Sequence, residues 1–147
     1  MRPADPARVV TAARGWLGTP YHDQASRRGV GCDCLGLARG VWREVVGEEP
    51  LPVPPYSRDW GEVSRVEVLA EAAAQVMLPA APSRLEPGML LLFRMHRGAI
   101  AKHCGIVTAT GPGPRFLHAY ERLGVIEEPL TGAWRRRIAC VFLFPQP

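Results

Sequence analysis

GVGCDCLGLARGVW, residues Gly29 to Trp42, changes character in its middle. Glycine and aspartate, which favour turns and caps, lead into Leu35, Leu37, Ala38, Val41, Trp42 and Val45. That apolar spacing suits one face of a helix. Asp33 is then an N-cap, and Cys34 falls in the first turn. A thiol there feels the positive end of the helix dipole, which draws its pKa toward the thiolate form. The competing reading is a small apolar residue packed beneath the helix, since free cysteine is among the most buried residue types.

Outward from this stretch, the chain of 147 residues reads as a single domain over residues 1–147, long enough to bury a core without staples. A hydrophobic fraction of 47% and a charged fraction of 22% are those of an ordinary globular protein. The net charge is +4, but the arginines are scattered apart from Arg27-Arg28 and Arg135-Arg136-Arg137. No basic run interleaves with aromatics, so nucleic acid is not an expected partner. No stretch reaches the roughly 18 apolar residues needed to span a membrane, and membrane insertion is not expected. MRPADPARVVTAARGW lacks the apolar core of a secretory signal, so synthesis in the cytoplasm without a signal peptide is expected. Cys32 and Cys34 stand too close to bridge without strain, and free thiols are expected. A zinc set of Cys32, Cys34, His103 and Cys104 fits poorly, because neither a CxC nor an adjacent His-Cys pair has the usual ligand spacing. No metal and no cofactor are expected.

Asp5 and Pro6 look like the N-cap and first residue of a helix with Val9, Val10, Ala13, Trp16 and Leu17 on one face, ended by Gly18. Thr19 to Gly31 reads as a polar loop. The Cys34 helix runs to about Val46, with Gly47 as its stop. EEPLPVPPYSRD is a proline-rich crossing. Asp59 and Glu62 form a capping pair before a third helix carrying Val63, Val66, Leu69, Ala70, Ala73 and Val76. After Pro87-Gly88 the pattern turns to strands: Met89–Phe93, then His103–Thr108 and Phe116–Tyr120 as a hairpin around TGPGP, then Gly124–Ile126 and Ile138–Phe144. Helices first and strands afterwards make an α+β domain, with N-terminal helices on a mostly antiparallel sheet of about five strands.

The chain has 4 histidines: His22, His96, His103 and His118. His96 lies in a polar connection and reads as a surface residue; His22 lies in the loop before Cys34. His103 opens one strand of the hairpin, and His118 sits within the other. An imidazole beside a thiol holds cysteine as thiolate at neutral pH, and a second polar group on that imidazole fixes its tautomer. A cysteine at a helix start, packed on a sheet that carries the histidine, is the papain-like arrangement. Strand histidines that are simply satisfied core residues are the alternative.

TPYHDQASRRGVGCDCLGL resembles the nucleophile segment of the NlpC/P60 cell-wall peptidases, matching at Pro20-Tyr21 and at Asp33-Cys34-Leu35-Gly36-Leu37. LEPGMLLLF resembles the family's Pro-Gly-Asp strand opening, HCGIV its first histidine strand, and RFLHAYERLGV its second. Order and approximate spacing agree from about Trp16 to Phe144. GVGCDCLGL, the inserted YSRDW and the ending WRRRIACVFLF most resemble peptidases of phage tail and gene transfer agent modules. Two positions depart from the pattern: Leu35 stands for the usual serine and Met89 for the usual aspartate, and neither is needed for proton transfer.

The resemblance implies a papain-like NlpC/P60 fold and a peptidoglycan endopeptidase that cuts stem-peptide amide bonds. It assigns Cys34 as nucleophile, with Cys32 a packing neighbour, and His103 as the base. His118 becomes the residue orienting His103, and Tyr21 a hydroxyl that helps the Cys34 N–H stabilise the oxyanion. It also implies peptidoglycan stem peptides as substrate and tail-tip or baseplate proteins of a phage-like particle as partners. The enzyme would then act at the periplasmic cell wall of a target cell. Two other readings stay open: a structural tail-tip plug of little activity, and amidase or acyl-transfer chemistry on the same Cys/His scaffold.

Overall fold

The computed structural model of the chain describes residues 1–53, 56 and 66–147. Helix α1 spans Pro6–Arg14, and Asp5 caps it by accepting a hydrogen bond from the Ala7 N–H. Helix α2 spans Cys34–Val45; the Asp33 carboxylate accepts from the Gly36 N–H, as the spacing predicts for an N-cap. Between the helices, β1 (Ser26–Arg27) and β2 (Gly31–Cys32) form a small antiparallel hairpin inside the expected loop. Its two-residue strands are too short to leave an alternating pattern in the sequence.

Helix α3 spans Val68–Val76. The expected capping pair Asp59 and Glu62, with Val63, lies outside the described residues, and Val66 precedes the helix instead of packing within it. Glu67 stands at the N-cap without a side-chain cap bond, because its carboxylate is used elsewhere: it accepts from the Ala101 N–H at 2.9 Å and pairs with Arg94. Leu17, expected on the buried face of α1, is 47% exposed. The helix ends at Arg14, and the chain turns away through Gly18, whose φ of +83° needs no Cβ.

The remaining elements are β3 (Leu78–Ala80), β4 (Met89–Phe93), β5 (His103–Ala109), β6 (Arg115–Tyr120), β7 (Gly124–Pro129), the one-turn helix α4 (Gly132–Arg135) and β8 (Ile138–Leu143). They build a six-stranded sheet in the order β3-β8-β4-β5-β6-β7, antiparallel at every pairing. The sixth strand is β3, whose Pro79 lacks an N–H and suits the edge position it takes.

Alternation along the strands sorts side chains onto two faces. Leu90, Leu92, Cys104, Ile106, Leu117, Ala119, Val125 and Phe142 meet Leu37, Val41 and Trp42 of α2 and the buried face of α1. Gly40 lets α2 close on Trp16, just beyond the end of α1, since a Cβ there would lie 1.9 Å from its indole. The opposite face carries Met89, Leu91, Phe93, Val107, Phe116 and Val141, covered by Leu130 and by Trp134 of α4. This places the start of α2 and the start of β5 at one end of the sheet, where the chemistry collects.

Candidate active site

Asp33 sets the position of Cys34. Its buried carboxylate accepts from the Gly36 N–H through one oxygen and from the Gln24 N–H through the other, both at 2.7 Å. The Tyr56 hydroxyl donates to that second oxygen. Cys34, the first residue of α2, is thereby fixed over the opening of β5. Its thiol lies 3.6 Å from the Lys102 carbonyl, and its own carbonyl accepts from the Cys104 thiol at 3.2 Å.

The Cys34 thiol is held well below the ordinary cysteine range. The largest cause is a hydrogen bond from the Cys104 thiol; a hydrogen bond and the charge of His103 add to it, and together they outweigh burial. Cys104 moves the opposite way, well above the ordinary range, because it donates to Cys34 and is buried. Of this touching pair, Cys34 carries the anion and Cys104 keeps its proton. Burial pushes Cys32 up to about 12, with the charges of Asp33 and Cys34 adding to it. Wholly buried, Cys32 is a packing residue without thiolate character.

His103 and His118 form a pair: the Nε2 of His103 lies 2.7 Å from the Nδ1 of His118. Gly105, two residues along β5 from His103, makes room for this, since a Cβ there would lie 2.9 Å from the Phe116 ring and 3.2 Å from the Cβ of His118. His118 is wholly buried, stacked on Tyr120 with ring centroids 5.3 Å apart and met edge-on by Trp134 at 5.1 Å. Burial pulls its pKa down to about 4, helped by the neighbouring His103, so its ring is neutral. The outer nitrogen of His118, Nε2, lies 2.7 Å from a carboxylate oxygen of Glu128.

These groups open onto a cleft of ~260 Å³ lined by Tyr21, Asp23, Cys34, Tyr56, Lys102, His103, Tyr120 and Glu121, among others. Tyr21 is half-buried, tied to Cys32 by an isolated parallel bridge. Burial, followed by the negative charges of Cys34 and Asp33, raises its phenol pKa, so Tyr21 presents an O–H donor. The structure thus brings together Cys34, His103, His118 and Tyr21. His22 and His96 are exposed and line no part of the cleft. Among the described residues, no group of three or more His, Cys, Asp or Glu side chains could hold a metal ion, and no helix is long and apolar enough to cross a membrane.

Sequence reasoning did not find Cys104, Tyr56, Trp134 or Glu128. Cys104 adjoins His103 and was in view only as a metal candidate. Glu128 was findable only with the register of β6 and β7: His118 pairs with Ile126, which puts Glu128 one diagonal step away on the same face.

By sequence, no protein-family model and no curated protein matches the chain. Solved structures do share its fold. One is a protein similar to lipoprotein of the NLP/P60 family from Staphylococcus aureus, 19% identical, with a TM-score of 0.63 over 97% of this chain and 42% of that one. A second is an NlpC/P60 family protein from Bacillus cereus, 20% identical, with a TM-score of 0.62 over 95% of this chain and 40% of that one. A third, Ly7917 solved with the hydrolyzing product of MDP, is 12% identical, with a TM-score of 0.59 over 96% of this chain and 63% of that one. The α+β fold is therefore that of NlpC/P60 proteins, and the chain spans about two-fifths of the length of the first two.

Proposed function

We propose that the chain is an NlpC/P60-type cysteine hydrolase that cuts amide bonds in peptidoglycan stem peptides. The observation that carries the reading is the contact series from Cys34 and His103, which line the cleft, to the buried His118 behind them. The shared fold supports it, as does the product of MDP hydrolysis held by one neighbour.

In the reaction, the Cys34 thiol gives its proton to His103, and the thiolate attacks the amide carbonyl carbon. The oxyanion is met by the Cys34 N–H, which points out of the helix start, and by the Tyr21 hydroxyl. His103 then protonates the leaving nitrogen as the C–N bond breaks and a thioester forms. Water attacks the thioester, His103 takes the water's proton, and the acid product leaves Cys34 as thiolate. The general acid–base part of this is worth about 10²–10⁴ in rate.

Mass spectrometry of purified muropeptides after incubation with the protein tests this reading. The expected products are fragment pairs whose masses sum to the substrate plus one water, absent with Cys34→Ala. Intact muropeptides with the native protein, or the same cleavage with Cys34→Ala, would overturn it.

The place of action belongs to the same proposal. The likeness of GVGCDCLGL, YSRDW and WRRRIACVFLF to tail-module peptidases supports a subunit of a phage-like tail, assembled in the cytoplasm beside tail-tip or baseplate proteins and delivered to the periplasmic wall of a target cell. Protein mass spectrometry of purified particles from the producing cell checks this: the chain should co-sediment with tail proteins, and its absence from the particles would remove that role.

A further inference from the structure

Two imidazoles in contact can share one hydrogen bond in two ways, and the two ways have opposite consequences for the thiol. If His103 donates from Nε2 to Nδ1 of His118, its own Nδ1 is left with a lone pair to take the Cys34 proton. If His118 donates from Nδ1 instead, neutral His103 carries its hydrogen on Nδ1 and cannot act as base. The 2.7 Å contact between the rings is compatible with both. Something beyond the pair must choose.

We infer that Glu128 makes this choice, acting as a positioning residue that locks His118 in its Nε2–H tautomer and thereby presents His103 to Cys34 as a base. The inference rests on the hydrolase reading proposed above.

The geometry supports it from three directions. The Glu128 carboxylate lies 2.7 Å from Nε2 of His118, and an ionised carboxylate only accepts hydrogen bonds, so Nε2 must carry the hydrogen. The ring of His118 has no solvent exposure, so water cannot substitute for the carboxylate at that nitrogen. Phe116, Tyr120 and Trp134 wall the ring, with centroid distances of 4.4, 5.3 and 5.1 Å, and leave it little freedom to turn.

Strand geometry explains why Glu128 and not its neighbour does this. Alternation along β7 sends Glu127 to the helix side, where it meets Arg14, and Glu128 to the aromatic side, where it meets His118. The titratable groups in contact with His118 are therefore His103, Tyr120 and Glu128, and Glu128 supplies the carboxylate. Because His118 remains neutral, Glu128 orients the ring and takes no proton from it. The resulting order is a Glu128 carboxylate accepting from His118 Nε2–H, a His118 Nδ1 accepting from His103 Nε2–H, and a His103 Nδ1 facing Cys34.

The test uses the full chain with Glu128→Gln, an isostere whose amide can accept or donate, and Glu128→Leu, which can do neither. Long-range ¹H–¹⁵N correlation spectra report the tautomer of His118, and iodoacetamide labelling against pH reports the Cys34 thiolate. The native chain should show a single Nε2–H tautomer. Glu128→Gln should show a mixture, a higher labelling pKa for Cys34, and kcat on muropeptides lowered several-fold. Glu128→Leu should lose the Nε2–H preference and lower kcat roughly 10–100-fold, the range known for the outer partners of metal-bound histidines, with KM little changed. An unchanged tautomer with an unchanged labelling profile in the folded variants overturns the inference; should Glu128→Leu not fold, Glu128→Gln decides alone. Tautomer and labelling need no substrate. A chain that cuts no muropeptide yet shows this coupling would sink the substrate proposal and leave the role of Glu128 standing.

Discussion

The two faces of the sheet are built from different material. Toward α1 and α2 the strands offer Leu90, Leu92, Ile106, Leu117, Val125 and Phe142, side chains that interlock without direction. On the other face, Phe93, Phe116 and Trp134 surround two imidazoles whose nitrogens make directed bonds, ending at a carboxylate. Aliphatic packing makes the fold and tolerates rearrangement of shape; the aromatic face holds ring angles, which proton transfer requires. Cys34, the first residue of α2, packs against the edge of the helix-side core. It sits at the end of the sheet, where β5 begins with a residue of the aromatic face, His103, followed by a residue of the helix face, Cys104. Both touch Cys34, His103 as the base of the proposed mechanism and Cys104 as a hydrogen-bond donor.

If this division is real, stability and activity should separate by face. Cys34→Ala should abolish turnover while shifting unfolding by less than about 1 kcal/mol, because the half-buried thiol is not a core anchor. His103→Ala should cost roughly 10²–10⁴ in turnover. Leu92→Ala on the helix side should do the reverse. It removes a wholly buried side chain and should cost about 2–5 kcal/mol in denaturant unfolding while leaving the labelling pKa of Cys34 unmoved. A Leu92→Ala protein that is stable but has lost thiolate character would break the comparison.

How far the sequence reaches follows the same line. The starts of α1 and α2 were legible because Asp5 and Asp33 act through their own next residues, whereas α3 starts at Val68, beyond the expected Asp59-Glu62 pair. The hairpin was legible because its turn is written in TGPGP. That Cys34, His103 and His118 come together was legible from their residue types at the helix start and in the hairpin strands, while their roles rest on the family resemblance. What the sequence could not show depends on register. Glu127 and Glu128 are an ordinary acidic pair until β7 is aligned with β6. Cys104 is an ordinary strand cysteine until α2 is laid over β5. Tyr56, within the proline-rich crossing, reaches Asp33 through tertiary contact alone.

The next prediction probes the aromatic face by pH. In an unfolded chain His118 takes a proton near pH 6.5, whereas in the fold it does so only near 4 because burial penalises the charge. Between those values the unfolded state binds more protons, so stability should fall as pH falls from 6.5 toward 4, by at most about 3 kcal/mol from this group. Above pH 6.5 the group should contribute no slope. Urea unfolding of the native chain and of His118→Asn, which cannot titrate, isolates the effect: the native slope in this window should be the steeper. Equal slopes would mean that the ring is not held neutral by its surroundings, and the aromatic face would lose its claim to a fixed protonation state.

The smallest effect is the sharpest test of the two faces, because it compares neighbouring residues of the same type. Glu127 accepts from Arg14 at 3.1 and 3.0 Å and from Thr108 at 2.8 Å, and it pairs with Arg115. The hydrogen bond from Arg14 is the chief reason its carboxyl is held below the ordinary range, against the opposing effect of burial. A carboxylate lowered in this way contributes stability that is present above the ordinary carboxylate pKa and is lost as pH falls through its folded value. Arg14 is half-exposed, so solvent screens the pair, and Glu127→Gln should cost only about 0.2–1 kcal/mol. That loss should shrink in acid. Turnover and the His118 tautomer should not change, since Glu127 faces the helix side. Glu128→Gln, one residue along, should give the opposite pattern: little change in unfolding, with a disturbed tautomer and slower turnover. The measurement is a pair of urea titrations and a pair of rate profiles on the two variants. If Glu127→Gln slows turnover as much as Glu128→Gln does, the carboxylates act as one diffuse negative patch, and the alternation of β7 does not separate structure from chemistry.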